Sequence, residues 1–125
     1  MNKKDIIAIV NEIGNNPRFS KILDDESKGK NSNRDKIGIS QFGSLSSTCK
    51  LADCVDEIRL LLEYKTAKGN GWNEAFNNKK FGEFINSKIM EIASDTEGNE
   101  EEKLKAISQF FGYLYWKAKV VVPKK

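Results

Sequence analysis

The stretch Leu51 to Lys68, LADCVDEIRLLLEYKTAK, limits the fold more than any other, because its apolar side chains at 51, 54, 55, 58, 61 and 62 recur at helical spacing. Leu60, Tyr64 and Ala67 lie off that stripe, so the apolar surface is wider than a helix packed on one side requires. The spacing predicts the central helix of a bundle. Asp53, Asp56, Glu57 and Glu63 hold the early part of the remaining face, while Lys65 and Lys68 fall in the last turn, where cations complement the negative end of the helix dipole. Gly69, Asn70 and Gly71 predict the stop, since glycine takes a left-handed cap without steric cost.

Toward the N-terminus, Ile6, Ile9, Val10 and Ile13 share one helical face and Gly14 sits where a cap would fall. A short helix is expected, with a short strand as the alternative because isoleucine and valine favour both. Asn16-Pro17 is a helix start: asparagine caps, and proline at the first position lacks only an amide that would be unsatisfied anyway. Phe19, Ile22 and Leu23 should face inward. From Asp24 to Lys36 there is no apolar residue to offset the entropy of ordering, which predicts a solvated loop. The alternative is a basic strand of Lys28, Lys30, Arg34 and Lys36 that orders on a polyanion. Phe42, Leu45, Cys49 and Ala52 then allow a helix from Ser40 into the central one, with a fresh start near Ser47 or Thr48 equally compatible.

After the glycines, Trp72, Ala75 and Phe76 suggest one helical turn, and Phe81, Phe84, Ile85, Ile89 and Ile92 restore a long apolar face. Asn99 and three glutamates open a last helix with acids at its positive end, and Glu102 suits a capping box. Leu104, Ile107, Phe111, Leu114, Tyr115 and Ala118 form its face, extended by Phe110 and Tyr113; this helix should pack on Leu51 to Lys68. The fold expected is all-α, a compact bundle of about five helices in one domain over the 125 residues. Residues 37–120 form its helical core, and residues 1–36 supply N-terminal helices and a mobile loop.

The chemistry the chain lacks is informative. With no histidine there is no imidazole base, no H-E-x-x-H zinc site and no nucleophile–histidine pair. A G-x-x-x-x-G-K-[ST] phosphate loop is missing too. Cys49 and Cys54 are spaced for neither a redox motif nor a zinc pair and read as free, partly buried thiols. Acids such as Asp53, Asp56 and Glu57 read as solvated surface. Neither catalysis nor a cofactor nor a metal is expected, although an enzyme placing carboxylates on a metal is a third reading. No run approaches the roughly 18 apolar residues of a membrane span, and the start is not a convincing signal peptide, so a cytoplasmic location is expected. The net charge of +3 says little about polyanions; only clustering of lysines could. Tyr64-Lys65 and Tyr113 to Lys119 interleave aromatics with lysine, a pattern that fits base stacking but more often marks core.

Three stretches carry a resemblance. K-I-x-x-S-Q-F-x-x-L at Lys36 to Leu45, I-R-L-L-L-E-Y-K-T-A-K at Ile58 to Lys68 and Q-F-F-G-Y-L-Y-W-K-A-K at Gln109 to Lys119 together resemble the small-subunit family of type III CRISPR RNA-guided effector complexes. Lys68 and Lys117 match the family's pattern. Gly43, Gln109 and Gly112 stand where it has or often has basic residues, and the first 35 residues fall outside the likeness. The resemblance implies a non-catalytic subunit that self-associates in a filament of several copies, beside backbone and large subunits, and lines the guide RNA and target RNA with cations. The candidate RNA-binding residues are Lys50, Arg59, Lys65, Lys68, Lys79, Lys80 and Lys117. Trp72, Phe76 or Trp116 would meet neighbouring subunits on outer faces. The competing reading is a helical protein-interaction module whose lysines serve solubility alone.

Overall fold

Each helix begins where the chain supplies an acceptor for its orphan amides, and these caps explain most of the boundaries. The computed structural model describes residues 1–26 and 35–123. In α1 (Lys3–Asn15), the Asn2 side chain accepts from the Asp5 amide at 2.8 Å, and Ile6, Ile9, Val10 and Ile13 are buried as a helical stripe. Asn16 then caps α2 (Pro17–Lys21) by accepting from the Arg18 amide at 2.9 Å, with Pro17 in the first turn and Phe19 buried. Leu23–Asp24 (β1) pairs in parallel with Ile37–Gly38 (β2). The polar stretch is thereby tied down at both ends, and Asp24, expected in a solvated loop, is buried. Residues 27–34, and with them the basic strand proposed at Lys28, Lys30 and Arg34, lie outside the described residues. Glu26 reaches the start of α3 (Ser40–Leu51), where its carboxylate accepts from the Ser40 amide at 2.8 Å and hydroxyl at 3.0 Å. An acid from a distant segment thus serves the positive end of a helix whose own cap residue, Ile39, has no side-chain acceptor.

The expected helix from Leu51 to Lys68 is corrected at its start. The chain breaks at Ala52–Cys54 and α4 runs Val55–Lys68. Two glutamates hold the break open: Glu57 accepts from the Asp53 amide at 2.7 Å and Glu100 from the Val55 amide at 3.1 Å. Leu51, counted in the apolar stripe, is 86% exposed, and Leu60 and Tyr64 also face outward. The fresh start thus falls after Leu51 rather than at Ser47 or Thr48, and six helices form among the described residues where about five were expected. Gly69 ends α4 at a φ of 96°.

Trp72 to Phe76 is not a helical turn. Ala75–Phe76 (β3) pairs antiparallel with Lys79–Lys80 (β4), and both Asn77 (φ 49°) and Asn78 (φ 66°) take the left-handed region that a two-residue hairpin of this type demands. The hairpin delivers the chain into α5 (Phe81–Ser94), whose start is served by Glu83 accepting from the Lys80 amide at 3.1 Å. Asn99 caps α6 (Glu100–Val121) by accepting from the Glu102 amide at 3.0 Å.

The centre of the molecule is α6, which packs most extensively on α3, then on α1 and α5, and only marginally on α4. The expectation that the last helix packs on Leu51 to Lys68 is corrected: α4 pairs with α5 instead. The reason lies in small residues. Ser46 and Ser108 exchange hydroxyl-to-carbonyl hydrogen bonds, each at 2.8 Å, so α3 and α6 approach closely there. On the other seam, a Cβ at Gly82 would lie 1.7 Å from Thr66 Oγ1, so the α4–α5 contact depends on glycine there. The end of α5 is closed by Lys103, whose ammonium donates to Ala93 O at 2.6 Å and Thr96 O at 2.8 Å.

The core beneath these helices holds an aromatic group. Phe81 sits with ring centroids 5.9 Å from Phe19, 6.5 Å from Phe42, 5.6 Å from Trp72 and 5.2 Å from Phe76. Trp72 and Phe76, expected at outer faces, are each 1% exposed and belong to this core. Among the described residues no helix is long and apolar enough to cross a membrane.

Candidate nucleic-acid interface

A lysine can bind a phosphate only where its ammonium reaches solvent and is not already spent on a carboxylate, so the surroundings of each candidate decide what it can do. Lys65 and Lys68 are brought together by the last turn of α4, with Gly69 and Asn70 turning the chain back beside them. They line a concavity of about 170 Å³ with Gln41, Tyr64 and Trp72. Gln41 Oε1 accepts from Lys65 Nζ at 3.2 Å and from Trp72 Nε1 at 2.9 Å, so one amide oxygen fixes both a cation and an indole. Lys65 Nζ lies 5.9 Å from the Trp72 ring centre, and Lys68 Nζ lies 5.9 Å from that of Tyr64. Burial, and secondarily the charge of Lys68, lower the pKa of Lys65 below its ordinary value. Two like charges facing one hollow, one of them held by a neutral amide, leave an electrostatic demand that an anion would meet.

The other candidates have different surroundings. Arg59 is spent on the α4–α5 seam, where its Nε donates to Asn86 Oδ1 at 3.3 Å and its guanidinium lies 4.0 Å from Asp56. Lys117 is half-buried against α1, where a Cβ at Gly14 would meet its Cγ at 2.4 Å; its stem is packing. Lys79 and Lys80 are adjacent and exposed on the hairpin rung. Lys50 is exposed at the end of α3. The contacts made by the seven thus fall in separate places, with the Lys65–Lys68 hollow and the Lys79–Lys80 rung as the two groupings.

A second concavity runs between α3 and α6, about 760 Å³ in volume, with Lys50 and Lys105 on its sides and Tyr113 and Trp116 toward one end. Lys105 was absent from the expected residues, whereas Tyr113 and Trp116 lie in the stretch Tyr113 to Lys119 whose pattern fits base stacking but more often marks core. A signal existed, because Tyr113 and Trp116 are three apart and Trp116 stands off the face formed by Leu104, Ile107, Phe111, Leu114 and Ala118. Gln41 had no such signal, since its role depends on Trp72, distant in sequence.

Both cysteines are free, as expected. Cys49 lines the α3–α6 concavity, and burial pushes its thiol up to about 12. Reactivity follows the thiolate, so in the folded protein at pH 8 an alkylating reagent should label half-exposed Cys54 first, with Cys49 reacting only on unfolding. Peptide mass mapping checks this; rapid native labelling of Cys49 would contradict it. Among the described residues no group of three or more acidic, cysteine or histidine side chains is gathered to hold a metal ion. Comparison with protein-family models, with curated proteins and with solved structures returned no match.

Proposed function

We propose that this chain is a non-catalytic small subunit of a type III CRISPR interference complex, stacking in several copies in the cytoplasm and contacting guide and target RNA backbones through lysines. The observation that carries the reading is the Lys65–Lys68 hollow. It joins two of the three stretches on which the resemblance rests, because Gln41 of the first accepts from Lys65 of the second. The third stretch lies against the first, with Tyr115 Cδ1 3.9 Å from where a Gly43 Cβ would stand. Phosphate contacts from such lysines position the subunit without reading sequence, which base pairing between guide and target supplies.

The structure also dictates which variants make a fair test. Lys65 and Lys117 are packed, so reversing their charge would mix binding with stability. Lys68, Lys79 and Lys80 are exposed, and the triple substitution to glutamate leaves the core untouched. Single-stranded RNA neutralised at about six phosphates should give a log–log salt slope near −4, and the triple variant should lose most of its RNA retention at unchanged thermal stability. Binding indifferent to salt, or full retention by a folded triple variant, would overturn the proposal. Full retention of large protein partners without RNA would favour the interaction module, a reading to which the outward-facing Leu60 and Tyr64 of α4 lend support.

A further inference from the structure

We propose that the α3–α6 concavity is a seat for a short unpaired strand of RNA, one base stacked on Trp116 and Tyr113 and the phosphates of the neighbouring nucleotides held by the flanking lysines. The inference rests on the RNA reading above but concerns a different face and a different interaction.

Aromatic residues at helical spacing normally face a core, and two of the five on α6 do so completely: Phe110 and Phe111 are wholly buried. Trp116 is 66% exposed, and its ring centroid lies 5.6 Å from that of Tyr113, which is half-buried against the core, so the pair forms a platform at the surface with Tyr113 anchoring it. Beside it the helix surface falls away, because the floor is built of Ser46, Ser108 and Gly112. The volume of about 760 Å³ lies in the range of small-ligand sites.

The floor chemistry selects for stacking over base reading. Ser46 and Ser108 already donate to each other's carbonyl oxygens, so neither hydroxyl is reserved for a base edge. Stacking on an aromatic ring tolerates every base, because each has a π-face. Charge sets the direction of the strand. Lys50 and Lys105 stand at the same level of the two helices, about 16 Å along α6 from Trp116, and exposed Lys119 follows one turn beyond it. Asp53 and Glu101 close the far end, where they repel phosphate and end the track. An aromatic platform with cations on both sides and acids only at the terminus fits a short single strand.

Trp116 is itself the reporter. It is the exposed indole and Trp72 the buried one, so the long-wavelength emission belongs to Trp116. Titration of the full chain with a short oligouridylate at low salt should quench that emission. Trp116→Ala should weaken binding about tenfold or more, while Trp116→Phe, which keeps a ring, should retain most of the affinity and lose the optical signal. Salt-dependent binding that leaves Trp116 emission and affinity untouched overturns this inference and leaves the RNA reading standing. No binding under any condition overturns both. Loss of self-association in Trp116→Ala at unchanged RNA affinity assigns the groove to protein and likewise overturns it.

Discussion

Phe81→Ala is expected to destabilise the protein by about 3–5 kcal/mol, a large share of the 5–15 kcal/mol typical of a domain of this size. The side chain is wholly buried and meets four other rings, from α2, α3, the turn after α4 and the hairpin. The surrounding rings are held against one another, Phe19 with Phe42 at 6.1 Å and Phe42 with Trp72 at 5.8 Å, so they cannot simply move into the void and the cavity term adds to the lost transfer energy. A drop of about 10–20 °C in melting temperature follows, measurable by far-ultraviolet circular dichroism. Phe84→Ala is the control, because Phe84 is only half-buried and its ring meets Phe76 alone among the rings, at 4.8 Å. A loss at Phe81 no larger than that at Phe84 would show that the aromatic group is not the hub of the fold.

That hub was only partly legible in the sequence, and the reasons are physical. Where local chemistry settles structure, the sequence was a sound guide. Asn16-Pro17 started α2, Asn99 started α6, and the stripe from Ile6 to Ile13 was buried as its spacing predicts. Where a distant residue supplies the cap, it was not. The break before Val55 depends on Glu100, and the start of α3 on Glu26, neither of which periodicity can anticipate. Aromatic residues at 72 and 76 looked helical by spacing, but Asn77-Asn78 is a hairpin turn in which both residues accept a positive φ.

The candidate site divides in the same way. Lys65 and Lys68 were marked by position, since the last turn of a helix attracts cations. Their conversion into a hollow required Gln41 from α3 and Trp72 from beyond the turn, a tertiary arrangement. Lys117 and Arg59 carry the same charge and were equally eligible by sequence, yet packing spends one against Gly14 and the other on Asn86. What each side chain touches, which residue identity does not reveal, separates a lysine that lines a hollow from one whose stem is packed against α1.

Gly71→Ala is expected to cost about 2–5 kcal/mol and to disturb the Lys65–Lys68 hollow along with the fold. Two separate effects add. The residue holds a φ of 96°, a conformation an L side chain takes up only at a cost of about 1–2 kcal/mol. A Cβ there would also stand 2.7 Å from the Ile37 amide nitrogen and 2.8 Å from the Lys36 carbonyl carbon, both backbone atoms that no rotamer change can move aside. Relief would require β2 to shift, and β2 is tied to the residue just before β1 through Ile37 N donating to Ile22 O at 2.8 Å. The overpacking adds about 1–3 kcal/mol. Asn70→Ala is the comparison: Asn70 also has a positive φ, 53°, and is exposed, but it already carries a Cβ there, so the variant loses only asparagine's local hydrogen bonding, less than about 1 kcal/mol. Chemical denaturation of both variants gives the difference. Equal losses would mean that the approach of β2 to the turn is not rigid, and the hollow built between α4 and Trp72 would then lose the wall on which its geometry depends.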